Sequence, residues 1–514
     1  MFRGNASRAV ILALAAVFFA VLAGGAQAAD RCAALSSLKL ERTTLRGTLV
    51  GQDFVSPPSI YDFGAKPPAP GRAFCRVEGL VDGRSRFEVW LPDAGAWNHR
   101  LQGVGDGGMA GGVTYQALTA ALRSGFATVG SNLGHESGFT ESGWAIGHPE
   151  LVRDWGHRAT HDMTVQAKAI IQAYYGAAPR WSYFTGCSGG GRQGFMEAQR
   201  YPGDYDGIVA GDPTMDFVKL TTAGRLWMAQ ALMPSQPGDP GLTAAKLALA
   251  ARAATAQCDR LDGVADGVID DPRACRFDPA RLACAGAERA DCLSAPQIAA
   301  LRKIYAGAAD AQGRSLFPGY ERGAEVGFNA SQAVYATGFL QGMAFQDPAY
   351  DPMSFDFGRD IARIAGRDLG GETLSRAIDA TDPDLSAFRR RGGKLIHYHG
   401  WNDPGVPPRR SVAYYGRVAA HEGLARTEGF YRLFMVPGLG HCQGGPGATS
   451  FEMLPALQAW VEHGQRPARV LASRLEAGRV VRTRPLCPYP QRAAWTGRGS
   501  SDKAANFACK APVA

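Results

Sequence analysis

Short apolar runs alternate with segments of helical spacing through the first 215 residues of the chain. Arg86–Pro92 alternates polar and apolar side chains and ends at a proline, which is typical of a strand. Apolar positions over 162–175 recur at helical spacing, and the short apolar run 181–184 precedes a predicted helix over about 191–200. This order predicts a mostly parallel α/β sheet. Further strands are predicted over 100–104, 126–129, 208–211, 394–400 and 430–436, and a further helix over 451–463.

The pattern changes near residue 215. Residues 216–385 are rich in Ala, Gly, Asp and Pro, contain four of the ten cysteines and show no strong strand run. We interpret this segment as a domain inserted into an α/β unit formed by 29–215 and 386–514. The part of the chain after about residue 480 is expected to be irregular and held by disulfides.

Composition narrows the class of protein. The chain has 514 residues, enough for two or three domains of ordinary size. Its hydrophobic content of 46% and charged content of 20% are typical of a globular protein with a large core. The formal charge is +8, and the basic residues are scattered rather than clustered. We therefore expect no nucleic-acid partner.

The N-terminus predicts export. Arg3 and Arg8 precede an apolar run, Ala9–Leu22, and the small-x-small pattern Ala26-Gln27-Ala28 follows. These are the features of a signal peptide over residues 1–28, so the protein is expected to be secreted or periplasmic. The alternative is a membrane anchor, but the apolar core is short for a span of about 20 residues. Nothing later in the chain is apolar enough to span, and no membrane contact is expected after cleavage.

Export changes the interpretation of the ten cysteines. In an oxidising compartment they are expected to form disulfides, and the absence of a C-x-x-C pair argues against zinc or thioredoxin-like chemistry. Connectivity cannot be deduced from sequence alone. Nearness along the chain favours Cys258–Cys275, Cys284–Cys292 and Cys487–Cys509, with Cys32–Cys75 tying down the N-terminal segment and Cys187 and Cys442 left as a long-range pair.

One motif suggests a nucleophile. Gly186-Cys187-Ser188-Gly189-Gly190 fits G-x-S-x-G, the sharp strand-to-helix turn that exposes a serine hydroxyl. The glycines suit this turn because it is strained and its neighbours approach closely. A predicted strand precedes the motif and a predicted helix follows it. The alternative is a Gly-rich turn with a capping serine.

A serine nucleophile needs a base and a carboxylate, in the chain order Ser, Asp or Glu, His for this architecture. His441 follows the predicted strand 430–436 through a Pro-Gly-Leu-Gly turn, as expected of the base. Asp403 lies just past strand 394–400 and is the expected carboxylate; its alternative is a turn aspartate before proline. The other downstream histidines are expected to be buried strand residues or solvated helix residues: His397, His399, His421 and His463.

The same chemistry needs backbone donors for an oxyanion. Gly189 follows the candidate nucleophile, and Gly107 or Gly108 in the early Gly-rich loop is the candidate for the second donor. No G-x-G-x-x-G precedes a helix with an acidic residue about 20 positions later, so we reject dinucleotide binding.

A second motif suggests a structural calcium ion. The segment 258–270 places Asp259, Asp262 and Asp266 among glycines, and the backbone carbonyls of Val264 and Val268 are spaced to join them. Calcium prefers six to eight oxygens from carboxylates and carbonyls. The spacing is not that of an EF-hand, and no glutamate closes the loop. A metal-free Asp/Gly turn is the alternative.

These residues together resemble the tannase/feruloyl esterase family of α/β-hydrolases. Cys187-Ser188, Asp403 and His441-Cys442 look like its CS–D–HC arrangement. The similarity extends over nearly the whole mature chain, including the stretches 186–194, 199–202, 206–211, 392–395, 398–401 and 432–438. It implies an α/β-hydrolase core, a lid domain at 216–385 with calcium bound by a loop like 259–268, no organic cofactor, and a disulfide joining the two catalytic loops.

The resemblance also implies the substrate, a small ester of an aromatic acid. We expect a serine carboxylesterase of the feruloyl esterase type; the alternatives are a galloyl esterase, a hydrolase of terephthalate monoesters and, more distantly, a non-catalytic exported binding protein. Lid aromatics are expected to cover the aryl ring, with packing in the lid core as the alternative: Phe328, Phe339 and Phe345. Two features depart from the family. Asp106 stands where asparagine is expected, and the segment 328–345 lacks the lid arginine of the terephthalate-monoester branch.

Overall fold

The computed structural model describes residues 27–62, 64, 66–234 and 241–511. It divides into two units, one formed by residues up to Val104 with Gly112–His135 and His161–Ser182, and one by Gly105–Gly111, Glu136–Thr160 and the chain from Tyr183 onward. All but the last two residues of the predicted signal peptide lie outside the described residues. The predicted domain boundaries stay predictions. Within the described ranges, no helix combines the length and apolarity that a membrane span requires.

The first unit contains five strands: β1 (Thr43–Val50), β2 (Phe74–Val81), β3 (Ser85–Pro92), β4 (Arg100–Val104) and β5 (Ala127–Ser131). Their order is β1-β2-β3-β5-β4, and only β4 and β5 run parallel. The sequence pattern did not indicate that β1, β2 and β3 pair antiparallel. The loop between β2 and β3 has positive φ at Asp82 and Gly83, the conformation of a tight hairpin, which joins antiparallel strands.

Alternating side chains of this unit form one core. Phe74 of β2 and Trp90 of β3 are fully buried, with ring centroids 4.6 Å apart. Tyr115 and Leu118, in the helix Tyr115–Arg123, pack against them. Helix Ala159–Tyr175 confirms the helical spacing predicted over 162–175. Burial of these large apolar side chains supplies the main stabilisation of the unit.

The second unit has the predicted parallel arrangement. Strands β6 (Trp181–Cys187), β7 (Gly207–Gly211), β8 (Lys394–Gly400) and β9 (Tyr431–Val436) lie in the order β6-β7-β8-β9 and pair in parallel throughout. Strands β7 and β9 are buried at every position, as expected of parallel strands covered on both faces. Outside residues 216–385, the α-helices of this unit are Pro149–Arg153, Gly189–Arg200, Ser386–Arg390, Arg409–Glu422, Leu424–Phe430 and Leu454–His463.

The described part of residues 216–385 contains helices and no β-strand beyond isolated bridges, as the lack of strand signals predicted. Phe328, Tyr320, Leu247 and Met228 belong to their main apolar cluster. The α-helices are Phe217–Lys219, Trp227–Leu232, Ala244–Cys258, Ala295–Ala306, Ser331–Phe339, Asp360–Ala365 and Leu374–Ile378, with π-helical turns at Leu220–Leu226 and Leu340–Ala344.

The C-terminal part is more regular than predicted. Strands β10 (Val470–Glu476) and β11 (Arg479–Leu486) form an antiparallel hairpin, and β12 (Arg492–Trp495) pairs with β13 (Phe507–Lys510). The expectation of an irregular segment after residue 480 is therefore wrong. Most side chains of β11 are exposed or half-buried, so this strand lacks the apolar alternation that would have identified it.

Candidate active site

Ser188 lies in the strained turn that the motif predicted. Strand β6 ends at Cys187, the helix begins at Gly189, and Ser188 between them has φ 61° and ψ −116°. A positive φ is unusual for a serine and is costly unless the surroundings hold it. Here the Ser188 N–H donates to the carbonyl of Gly211 at 2.9 Å, and the Ser188 carbonyl accepts the N–H of Thr214 at 3.2 Å. The turn is thus held by the end of the neighbouring strand β7.

His441 and Asp403 form the predicted base and carboxylate pair. Nδ1 of His441 lies 2.7 Å from Oδ2 of Asp403, and Asp403 is fully buried. The other oxygen of Asp403 accepts the N–H groups of Gly405 at 2.7 Å and Val406 at 2.9 Å. Both oxygens are therefore fixed, and the imidazole is oriented with Nε2 left for a proton transfer.

The pKa values of His441 and Asp403 show that the carboxylate of Asp403 is the charged partner of the imidazole. Burial lowers the pKa of His441, but the carboxylate of Asp403 outweighs it, and the net pKa of His441 is raised above 6.5. Burial raises the pKa of Asp403, whereas the charges and hydrogen bonds of His441 and His399 lower it, and the net pKa lies below its ordinary value. Asp403 thus stays ionised and can stabilise an imidazolium.

A disulfide connects the two loops. Cys187 and Cys442 are bonded with their Cα atoms 5.9 Å apart, across a sequence separation of 255 residues. Since Ser188 follows Cys187 and His441 precedes Cys442, the bond keeps the candidate nucleophile and base in one neighbourhood. Among the described residues the Ser188 hydroxyl has no hydrogen-bond partner, a common state of a nucleophile before substrate binds.

The other cysteine pairings are also confirmed. The bonds are Cys32–Cys75, Cys258–Cys275, Cys284–Cys292 and Cys487–Cys509, and every cysteine of the chain is bonded. Nearness along the chain was a correct guide to the last three bonds, because short loops close at a small entropic cost.

The structure brings the predicted oxyanion donors together. A Cβ placed on Gly189 would lie 3.2 Å from Cα of Gly107 and 3.3 Å from the nitrogen of Gly108. Only a residue without a side chain allows this approach. Gly108 also has φ 63°, a conformation that suits glycine. The backbone of both loops therefore lies beside Ser188, and the choice between Gly107 and Gly108 as second donor stays a prediction.

The three predicted lid aromatics pack within the inserted segment. Phe328 is 2% exposed and lies edge-on to Tyr320. Phe339 is fully buried and lies edge-on to Phe217, and Phe345 stacks on Tyr350 with ring centroids 4.1 Å apart. Among the described ring contacts, none joins these three side chains to the triad. The contacts account for them as packing residues, and their role in substrate binding stays a prediction.

The loop 259–268 holds oxygen atoms of the kind that calcium prefers. Oδ1 of Asp259 accepts the backbone N–H groups of Asp266 and Gly267, each at 3.0 Å, and Oδ1 of Asp262 accepts that of Val264 at 2.9 Å. Burial raises the pKa of Asp262, and the charges of Asp266 and Asp259 raise it further. Three carboxylates that repel one another in a partly buried loop fit a divalent cation.

One of these carboxylates has another partner. Oδ2 of Asp266 contacts Arg484 and lies 3.6 Å from a guanidinium nitrogen of Arg482. A cation in the loop would therefore compete with these arginines for Asp266. In the described residues, the second oxygens of Asp259 and Asp262 accept no hydrogen bond from protein.

Two residues near the triad were not singled out from the sequence. Asp212 is fully buried directly after β7, where its carboxylate contacts the loops of both Ser188 and His441. The available signal was its position, because it follows the end of β7 as Asp403 follows the end of β8. Arg225, which is 7% exposed, donates to Oε1 of Gln332 at 2.8 Å. The resemblance placed the expected lid arginine within 328–345, and no sequence pattern singled out Arg225.

The fold and the site are those of an α/β-hydrolase. Its features here are parallel strands β6–β9, a serine in a strained turn between strand and helix, and a histidine paired with a buried aspartate. The structure resembles that of feruloyl esterase B from Aspergillus oryzae, with a TM-score of 0.85 at 27% identity, covering 94% of this chain and all of that one.

Comparison of the sequence with known proteins supports the same assignment as the fold. The family model described as tannase and feruloyl esterase matches residues 73–510, and the chain belongs to this family of carboxylic ester hydrolases. An uncharacterized esterase of Xanthomonas campestris pv. campestris is 40% identical over 99% of this chain and 96% of its own length. The mono(2-hydroxyethyl) terephthalate hydrolase of Piscinibacter sakaiensis is 34% identical over 85% of each.

Proposed function

We propose that the protein is an exported serine esterase that hydrolyses esters of hydroxycinnamic and related aromatic acids. The observation that carries this proposal is the His441–Asp403 pair, tied by a disulfide to the strained turn of Ser188 within a fold like that of feruloyl esterase B. Five disulfides support an oxidising compartment.

The geometry supports a two-step reaction. Ser188 attacks the ester carbonyl while Nε2 of His441 takes the hydroxyl proton, and His441 then returns that proton to the leaving alcohol. Asp403 holds the imidazole and stabilises its charged form. The backbone N–H of Gly189 and one from Gly107 or Gly108 stabilise the oxyanion. Water then attacks the acyl-enzyme by the same proton transfers.

Calcium belongs to this proposal as a structural ion. Asp259, Asp262 and Asp266 would hold it through carboxylates, and Val264 and Val268 through backbone carbonyls. Bound there, it would neutralise the carboxylates of the loop and stiffen the segment that Cys258–Cys275 closes.

The test compares wild type with Ser188→Ala on methyl ferulate, methyl gallate and mono(2-hydroxyethyl) terephthalate. Loss of the nucleophile is expected to lower kcat by about 10³-fold or more while the thermal unfolding midpoint stays unchanged. A serine-directed phosphonate should label wild type at Ser188 and leave the variant unlabelled. A variant that keeps full activity, or a wild type that is neither active nor labelled, would contradict the proposal; the second result would favour a binding protein.

A second candidate substrate class is favoured by Arg225. Its guanidinium lies 4.2 Å from the Tyr335 ring centroid, and among the described residues no carboxylate pairs with it. A Cβ placed on Gly405 would lie 3.7 Å from Nη2 of Arg225 and 3.8 Å from Cγ of His441. Buried cations are normally paired. An aromatic ester with a free carboxylate would supply the missing charge beside the triad.

The same panel separates the two classes. If Arg225 binds a substrate carboxylate, Arg225→Gln should lower kcat/KM for the terephthalate monoester by at least tenfold more than for methyl ferulate. An equal effect on both esters would exclude this second class and leave the first.

A further inference from the structure

Asp212 is a buried carboxylate that the proposed proton relay does not use. It stands between the end of β7 and Pro213, is fully inaccessible to solvent and has φ 36°. A buried, charged aspartate in this conformation raises the free energy of the folded state unless other contacts stabilise it. The contacts of its carboxylate identify the segments that it holds together.

The carboxylate of Asp212 contacts three separate segments. Oδ1 accepts the N–H of Gly400, at the end of β8, at 2.8 Å. Oδ2 accepts the N–H of Cys442, next to the catalytic histidine, at 3.1 Å and lies 3.5 Å from Sγ of Cys187. One side chain therefore links the nucleophile loop, the histidine loop and the strand that carries Asp403.

The backbone at Cys442 needs such support. This residue has φ 64°, which is strained for a side chain other than glycine. Its only covalent link to the nucleophile loop is through its side chain, to Cys187, whereas Asp212 holds its backbone. Rotation of this peptide would move His441, so the hydrogen bond that the Cys442 N–H donates to Asp212 acts directly on the orientation of the base.

Asp212 also lies within the charge network of the triad. Nε2 of His399 lies 3.7 Å from Oδ1 of Asp212 and 3.3 Å from Oδ2 of Asp403, between the two carboxylates. Tyr398 faces Asp212 from the same strand, and Arg225 faces His441 from the inserted segment. The negative charges of Asp403 and Asp212 raise the pKa of His441, while burial and Arg225 lower it.

We propose that Asp212 is a positioning residue for ester hydrolysis: its carboxylate fixes the backbone of the histidine loop against the nucleophile loop and adds negative charge behind the imidazole. The inference rests on the proposed function of Ser188, Asp403 and His441. Burial, with a further contribution from Asp403, raises the pKa of Asp212 to about 6, so the carboxylate is ionised where the base is neutral and active.

The test uses Asp212→Asn, which keeps the shape and removes the charge and one acceptor, and Asp212→Glu, which keeps the charge and changes the reach. Asp379→Asn is the matched control, because Asp379 also accepts a backbone N–H, from Val218 at 3.0 Å, and burial likewise raises its pKa, to about 7. Steady-state kinetics on the preferred ester give kcat and KM against pH.

For Asp212→Asn we expect kcat to fall at least tenfold with KM changed less than threefold, and the acid limb of the kcat profile to move to lower pH, because loss of the negative charge lowers the pKa of His441. Asp212→Glu should lower kcat while its acid limb stays at the wild-type pH. Asp379→Asn should change neither. Wild-type kinetics and pH dependence in Asp212→Asn would overturn the proposal.

A measurement without substrate separates failure of this inference from failure of the proposed function. Imidazole proton resonances in NMR titrations give the pKa of His441 in wild type and in both variants. A lower pKa in Asp212→Asn, kept near wild type in Asp212→Glu, is expected even if no ester of the panel is hydrolysed. An unchanged pKa in Asp212→Asn would refute the electrostatic role of Asp212 whatever the substrate proves to be.

Discussion

Removal of the Cys187–Cys442 disulfide is the perturbation with the most informative outcome. Changing both cysteines to alanine opens a loop with a sequence separation of 255 residues. In the chain-entropy description, a closed loop of this length stabilises the folded state by about 5.5 kcal/mol at 25 °C. Opening Cys284–Cys292, with a separation of 8 residues, costs about 2.5 kcal/mol in the same description. This second pair is the matched control.

The two variants should differ in activity as well as in stability. Without Cys187–Cys442, the hydrogen bond from the Cys442 N–H to Asp212 remains as a direct link at this point, and the imidazole of His441 is less constrained. A misplacement of about 1 Å costs on the order of 10²-fold in rate. We therefore expect kcat to fall about 100-fold, while the Cys284→Ala/Cys292→Ala control keeps kcat within about twofold.

Urea unfolding at 25 °C followed by fluorescence gives the free energy of unfolding, and initial rates on methyl ferulate well below the unfolding transition give kcat. The reasoning would be refuted by a Cys187→Ala/Cys442→Ala variant that is clearly destabilised yet keeps wild-type kcat. The bond would then stabilise the fold without organising the site. A stability loss no larger than that of the control would refute the loop-closure account.

Three further outcomes follow from the site. Arg225→Gln removes a cation that lowers the pKa of His441, so the acid limb of kcat/KM should move to higher pH; a limb that stays in place contradicts this coupling. In Gly108→Ala the new Cβ would lie 2.8 Å from the carbonyl oxygen of Phe139, and the alanine would have to adopt a positive φ. The loop should therefore shift and kcat should fall about 10²-fold. Gly95→Ala, which has open space around its Cβ, is the control and should keep the wild-type kcat. Dialysis against a calcium chelator should lower the unfolding temperature, because the carboxylates of the loop 259–268 repel one another, and added calcium should restore it. An unfolding temperature that does not change with calcium would count against the site.

Much of the site could be predicted because its signals are local. The turn at Ser188 depends on glycines within a few residues, and strand–turn–helix order is visible in the periodicity on either side of it. Asp403 and His441 each follow a recognisable strand by a few residues. The three local disulfides, Cys258–Cys275, Cys284–Cys292 and Cys487–Cys509, were predicted from nearness along the chain. Strand β11 and the direction of β1–β3 were missed, since exposed strands lack apolar alternation and alternation carries no information about direction.

The sequence by itself determined the chemical groups and their order: a serine turn, an aspartate, a histidine and ten cysteines. Tertiary structure alone decided whether the loops of Gly189 and Gly107/Gly108 meet, that Asp212 contacts the loops of both Ser188 and His441, and that Arg225 lies near His441 with no acidic partner among the described residues. The physical reason is that periodicity and turn chemistry act over a few neighbouring residues, whereas contacts between segments 80 or 250 positions apart depend on how whole strands and helices pack.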